Sequence, residues 1–166
     1  MEEIIDGIWV GSDKDVPEAK RRGYARLCCA KDGPDGHREM LGYTTLGAPK
    51  DKNYFFVQRG KHAAMNCIDV DNPDFISNDM LDEGLAFVHR MRQAGNKILI
   101  HCNAGHSRGP STTLAYLRTI GEMPHSLRTS VHIFKTLYRP FDPGAGMKAK
   151  LVENWERWKG LWDSKK

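Results

Sequence analysis

Apolar residues recur along the chain in two rhythms, and the switches between them predict alternating strands and helices. The short apolar runs Ile8–Val10 and Ala25–Cys29 predict two strands. Between them Asp15 is placed to cap a short helix, with Pro17 in its first turn and Gly23 at its end. Tyr54–Val57 and Met65–Val70 predict two more strands, whereas residues 31–52, rich in Gly, Pro and Asp and without a period, predict a long loop with irregular turns. Ser77 or Asn78 opens a helix whose first turn carries Asp79, Asp82 and Glu83, where negative charge suits the helix dipole. Its apolar face is Leu81, Leu85 and Val88, and it should end near Gly95. Lys97–His101 (KILIH) reads as a buried strand, followed by a helix opening beyond Arg108. Leu127, Val131, Phe134 and Tyr138 mark an amphipathic helix that stops at Pro140, and Met147, Leu151, Trp155, Trp158 and Trp162 mark a last one. Such stripes are core faces rather than a cofactor box. The order predicts an α/β fold, a central mixed and mostly parallel sheet of about five strands flanked by helices. Ligands of such sheets sit beyond the carboxyl ends of the strands.

Composition narrows this without redirecting it. At 166 residues the chain is expected to form one domain over 1–166. Hydrophobic residues at 40% and charged residues at 28% exclude collagenous, low-complexity and disordered classes. No apolar run approaches the roughly 20 residues that span a bilayer, and Met1, Glu2, Glu3 lacks the basic-then-apolar order of a signal peptide. Neither membrane insertion nor secretion is expected. Cys28, Cys29, Cys67 and Cys102 are too few and too uneven for a disulfide framework and contain no Cys-x-x-Cys pair. Free thiols in a reducing compartment, the cytoplasm or the nucleus, are expected, with no metal and no cofactor. Charge is uneven: residues 1–83 hold 11 Lys and Arg against 16 Asp and Glu, and residues 84–166 hold 14 against 5. The basic half favours anionic partners, but without aromatics interleaved among the cations no nucleic acid is expected.

The informative segment is HCNAGHSRGPS, residues 101–111, between the strand KILI and the helical run STTLAYLRTI. A strand, a glycine-containing loop and a helix N-terminus form an anion site, because the loop amides and the helix dipole both complement phosphate. Cys102 starts that loop, where Arg108 and the helix favour the thiolate. Arg108 supplies a planar fork for two phosphate oxygens, which lysine cannot reproduce.

HCNAGHSR resembles the His-Cys-x-x-Gly-x-x-Arg loop of the protein tyrosine phosphatase superfamily, and the small size resembles its dual-specificity branch. GIWVGS, ARLCCA, DNPDF at Asp71, AYL at Ala115 and the spaced Pro143, Gly146, Met147 and Leu151 extend the similarity over most of the chain. The resemblance implies the phosphatase fold around a Cys-x5-Arg loop. It also implies metal-free hydrolysis of phosphate esters on Tyr, and on Ser or Thr, of a phosphorylated protein substrate through a phosphocysteine. Cys102 would be the nucleophile, Arg108 and the amides of Asn103, Ala104, Gly105, His106 and Ser107 the phosphate ligands, and Asp71 the general acid. Asp74 is the second choice, displaced toward the following helix, while Asp69 is expected on the opposite strand face. His101 is expected to support the loop from behind. Asp142-Pro143 resembles the acid of low-molecular-weight tyrosine phosphatases, but those carry the Cys loop near the N-terminus.

One position departs from the family. Where the branch carries Ser or Thr after the Arg, this chain has Gly109, and Ser107 and Ser111 do not fill that place. A slowed breakdown of the phosphocysteine is expected. Two alternatives stand beside the main reading: a phosphatase of phosphoinositides or RNA 5′-triphosphates, though the loop lacks their usual Lys, and a weakly active phospho-binding module. Cys28 and Cys29 are read as core thiols, with a reversible disulfide to Cys102 as the alternative.

Overall fold

A computed structural model describes residues 1–162. Six strands, β1 (Glu2–Ile5), β2 (Ile8–Ser12), β3 (Ala25–Cys28), β4 (Phe56–Arg59), β5 (His62–Met65) and β6 (Ile98–Cys102), form one sheet in the order β1-β2-β6-β3-β5-β4. The three inner pairings are parallel and the two outer ones antiparallel. Six helices cover it: α1 (Val16–Arg21), α2 (His37–Leu41), α3 (Asn78–Gln93), α4 (Arg108–Thr119), α5 (Leu127–Leu137) and α6 (Ala145–Trp158).

Alternation along the central strands divides the interior. Ile98, Ile100 and Cys102 of β6, with Leu27 of β3 and Val10 of β2, face the larger core against α3, α4 and α6. Leu99 and Cys28 face the other way, toward Ala19 of α1 and Met40 of α2. Burial on both faces explains why KILIH reads as a continuous apolar run. Every residue of α4 is buried.

The sheet differs from its sequence-based outline at both edges. β1 was not among the predicted strands; it pairs with β2 across a turn at Asp6-Gly7, where Gly7 has φ +79°. β4 and β5 form a hairpin around Gly60, so the expected strand at 65–70 actually ends at Met65 and residues 66–70 are irregular. Inside the predicted loop 31–52 lies the short α2. Asp15 does not cap α1 with its side chain; its carboxylate accepts from Ser12 N at 2.8 Å and closes a capping box on the 3₁₀ turn Asp13–Asp15.

A buried carboxylate ties the smaller layer together. Asp35, 4% exposed and at φ +59°, accepts from Arg26 Nε at 2.6 Å and lies 3.0 Å from Lys20 Nζ. Burial favours its neutral form, but the hydrogen bonds from Arg26 and Lys20 outweigh that and hold the carboxyl below the usual range. Its folded pKa is therefore lower than its unfolded pKa, so its contribution is complete above about pH 4 and is lost as pH falls toward the depressed value. Asp35→Ala should cost about 2–4 kcal/mol at pH 7, discounted because Lys20 is half exposed. Urea denaturation at pH 7 and pH 3 checks this: the gap between wild type and variant should narrow at pH 3, and a constant gap would contradict it.

Candidate active site

The loop after β6 is built by its neighbours in the sheet. Residues 101 and 102 pair with Gly11 and Ser12 of β2, and His101 also with Cys28 of β3, so the strand end is held from both sides. The chain then turns at Gly105, which has φ +75°; a Cβ there would come within 2.9 Å of the Gly11 carbonyl oxygen. Only glycine fits. Tyr138 Oη donates to the Gly105 carbonyl at 2.8 Å, Asp142 N to the His106 carbonyl at 2.9 Å, and Gly144 N to Ser107 Oγ at 2.9 Å. The segment after α5 thus braces the loop from outside. Burial, and then the neighbouring Cys102, push the Tyr138 phenol up to about 12, so it stays a donor.

Because these braces bind carbonyls and the Ser107 hydroxyl, the loop amides stay unengaged. Among the described residues none of the N–H groups of Asn103, Ala104, Gly105, His106, Ser107 and Arg108 donates to another protein group. Ser107, the N-cap of α4, places no side-chain cap on the helix. Arg108 is 7% exposed; its Nη1 donates to the Cys67 carbonyl at 3.0 Å and its Nη2 to Asn103 Oδ1 at 2.7 Å, while Nε is buried without a protein partner. A ring of free amides and a fixed guanidinium can bind a tetrahedral dianion in front of Cys102.

Cys102 is 3% exposed at the head of this ring, and His101 lies on the opposite sheet face behind it. His101 is fully buried, with Nδ1 3.4 Å from Asp13 Oδ1. Burial opposes ionisation of Asp13, yet its close contact with His101 and the hydrogen bond it accepts from Asn103 Nδ2 prevail and lower its pKa. Cys29 shares the larger core with Cys102, while Cys28 faces α2; burial pushes both thiols well up, and that of Cys67 up to about 12.

Asp71 is exposed and stands just before Asn72, whose side chain accepts from Asp74 N and caps the 3₁₀ turn Pro73–Phe75. It does not terminate a strand, because β5 ends at Met65. The face argument against Asp69 lapses for the same reason. Asp69 Oδ1 and Ser107 Oγ lie 3.6 and 3.7 Å from where a Cβ on Gly144 would stand, which puts Asp69 beside the loop. A Cβ on Gly109 would lie 2.9 Å from the His101 carbonyl carbon and 3.1 Å from Cys102 N, so α4 is pressed onto the end of β6. Ser111, fully buried inside α4, has no hydrogen-bond partner for its hydroxyl. The residues that sequence reasoning did not single out are Asp13, Cys67 through its carbonyl, Tyr138 as a brace, and Gly144. Asp13 had a usable signal: it follows the strand adjacent to β6, at the carboxyl end where such sheets bind ligands.

A mixed sheet with a Cys-x5-Arg loop between its central strand and a buried helix defines the class of cysteine-based phosphatases. The model of the dual specificity phosphatase catalytic domain matches residues 44–157, and the chain belongs to that family. It is 23% identical over 154 residues to human dual specificity protein phosphatase 22, covering 92% of this chain and 72% of that protein. It is 26% identical over 106 residues to the Slingshot homolog protein phosphatase of Xenopus laevis, covering 64% of this chain and 15% of that one. Among solved structures, DUSP15 superposes with a TM-score of 0.67 at 18% identity, over 99% of this chain and 93% of that one. The human tyrosine phosphatase-like serine/threonine/tyrosine-interacting protein gives 0.65 at 20% identity, over 95% and 97%. Among the described residues no helix is long and apolar enough to cross a membrane.

Proposed function

We propose that this phosphatase acts on phosphotyrosine, and on phosphoserine and phosphothreonine, in proteins, with Cys102 as nucleophile, Arg108 and the 103–108 amides as phosphate ligands and Asp71 as general acid. The observation that carries this is the ring of unengaged amides in the loop between Cys102 and Arg108. In the first step the Cys102 thiolate attacks phosphorus, the ester P–O bond breaks, and Asp71 gives its proton to the leaving oxygen. In the second, water attacks phosphorus, the Asp71 carboxylate takes a water proton, and the S–P bond breaks to release inorganic phosphate and the thiolate. The amides and Arg108 stabilise the equatorial oxygens in both.

Substrate class is tested with phosphopeptides carrying each phosphorylated residue, a phosphoinositide and a 5′-triphosphate RNA, all with chelator present. The reading predicts phosphate release from the peptides, fastest from phosphotyrosine; preference for either non-protein substrate would replace it. Binding without turnover would favour a phospho-binding module.

The second step is where Gly109 enters. Without a hydroxyl beside the leaving thiolate, breakdown of the phosphocysteine should limit kcat. Gly109→Ser alone cannot isolate that hydroxyl, because any Cβ meets the His101 and Cys102 backbone. Gly109→Ala and Gly109→Ser share that crowding, which should cost each about 1–3 kcal/mol. Their ratio is the test: the Ser variant should exceed the Ala variant roughly tenfold in kcat, the worth of one hydrogen bond to a charged group. Equal values would contradict it.

A further inference from the structure

Arg108 does not orient itself. We infer that Asp13, outside the phosphate loop, is a positioning residue that fixes the Arg108 guanidinium for oxyanion binding through the side chain of Asn103. The inference rests on the phosphate-binding role proposed for the loop.

The argument is one of donors and acceptors. Asn103 Nδ2 faces two acceptors, Asp13 Oδ2 at 2.9 Å and the Asp32 carbonyl at 2.7 Å. An amide nitrogen held by two acceptors turns the amide oxygen the other way, and that oxygen accepts from Arg108 Nη2 at 2.7 Å. Arg108 is then pinned at both terminal nitrogens, by Asn103 and by the Cys67 carbonyl, which leaves its Nε–H and a second N–H on each terminal nitrogen without a protein partner. Asp13 is itself held. It stands in a 3₁₀ turn closed by the Ser12–Asp15 capping box, and its own N–H donates to the Asn103 carbonyl at 3.2 Å. It therefore touches Asn103 through both main chain and side chain, and flanks His101 as well.

Without the Asp13 carboxylate, Asn103 keeps only the Asp32 carbonyl and can rotate. The guanidinium then loses a fixed partner and must be ordered again each time an anion binds, an entropic cost that appears in affinity. Simple electrostatics predicts the opposite sign: Asp13 is a negative charge near Arg108, and deleting it would tighten an anion.

Tungstate binding by calorimetry, with kcat and KM for an aryl phosphate, separates the two in Asp13→Ala, Asp13→Asn, Asn103→Ala and the Asp13→Ala/Asn103→Ala double variant. Asp13→Ala should weaken tungstate and raise KM about tenfold, with kcat changed far less. Asp13→Asn retains a side-chain oxygen that can accept from Asn103 Nδ2 and should restore most of the loss; as the conservative variant it also covers the case in which Asp13→Ala fails to fold. The double variant should be no worse than Asn103→Ala. Unchanged or tighter tungstate in Asp13→Ala, no rescue by Asp13→Asn, or additive effects in the double variant would each overturn the inference. A wild type that binds no tungstate and hydrolyses nothing would instead sink the phosphatase reading on which it rests.

Discussion

Cys102→Ser should lower turnover of an aryl phosphate by at least about 10⁴-fold, the scale on which loss of a nucleophile acts. The serine hydroxyl is a far weaker nucleophile than a thiolate. Binding should survive. The amides of 103–108 and the Arg108 contacts to Cys67 and Asn103 do not involve the sulfur, so tungstate affinity should stay within a few-fold of wild type. Calorimetry on the variant together with its steady-state rate checks both halves. Retained turnover would remove Cys102 from the chemistry, whereas lost binding would mean that the substitution collapsed the loop.

Asp71→Asn should slow hydrolysis of phosphoserine peptides by about 10²- to 10⁴-fold, the range for a positioned general acid. An alkoxide is a poor leaving group and needs its proton in the transition state, while a nitrophenolate leaves nearly as well without one. Measured as kcat/KM, which ends at formation of the phosphocysteine and so excludes the common second step, the loss should therefore be much smaller with a nitrophenyl phosphate. That dependence on leaving group separates an acid from a residue that merely shapes the loop. Asp69 and Asp74 are the natural controls, since Asp69 flanks Ser107 and Gly144 and Asp74 lies in the 3₁₀ turn after Asp71. If Asp69→Asn rather than Asp71→Asn shows the leaving-group dependence, the acid has been misassigned and the proximity of Asp69 to the loop explains why.

The parts legible in the sequence are those whose signals are local. Strand, loop and helix around Cys102 lie in one continuous stretch, and their order is the anion-binding geometry itself. The helix at Ser77 announces its cap, and Ser77 Oγ does accept from Met80 N at 3.3 Å. The outer hairpins are short, and their alternation is masked by the polar Glu2 and Glu3 in one and by Gln58, Arg59 and His62 in the other. An Asp-Gly turn at Asp6-Gly7 was a readable hairpin signal. Contacts across the sheet were not readable at all. Asp13 reaches Asn103 over 90 positions and Tyr138 reaches Gly105 over 33, and no periodicity encodes either. Nor could the sequence say that α4 sits so close to β6 that Gly109 leaves no room for a Cβ.

The most direct test of the central claim is stopped-flow hydrolysis of a nitrophenyl phosphate by wild type and Cys102→Ser with chelator present. A phosphocysteine whose breakdown is limiting predicts a burst of nitrophenol equal to the enzyme concentration, then a slower steady rate, with the burst absent in Cys102→Ser. Turnover without a burst would contradict a rate-limiting second step at Gly109, and a burst that persists in Cys102→Ser would contradict Cys102 as the nucleophile.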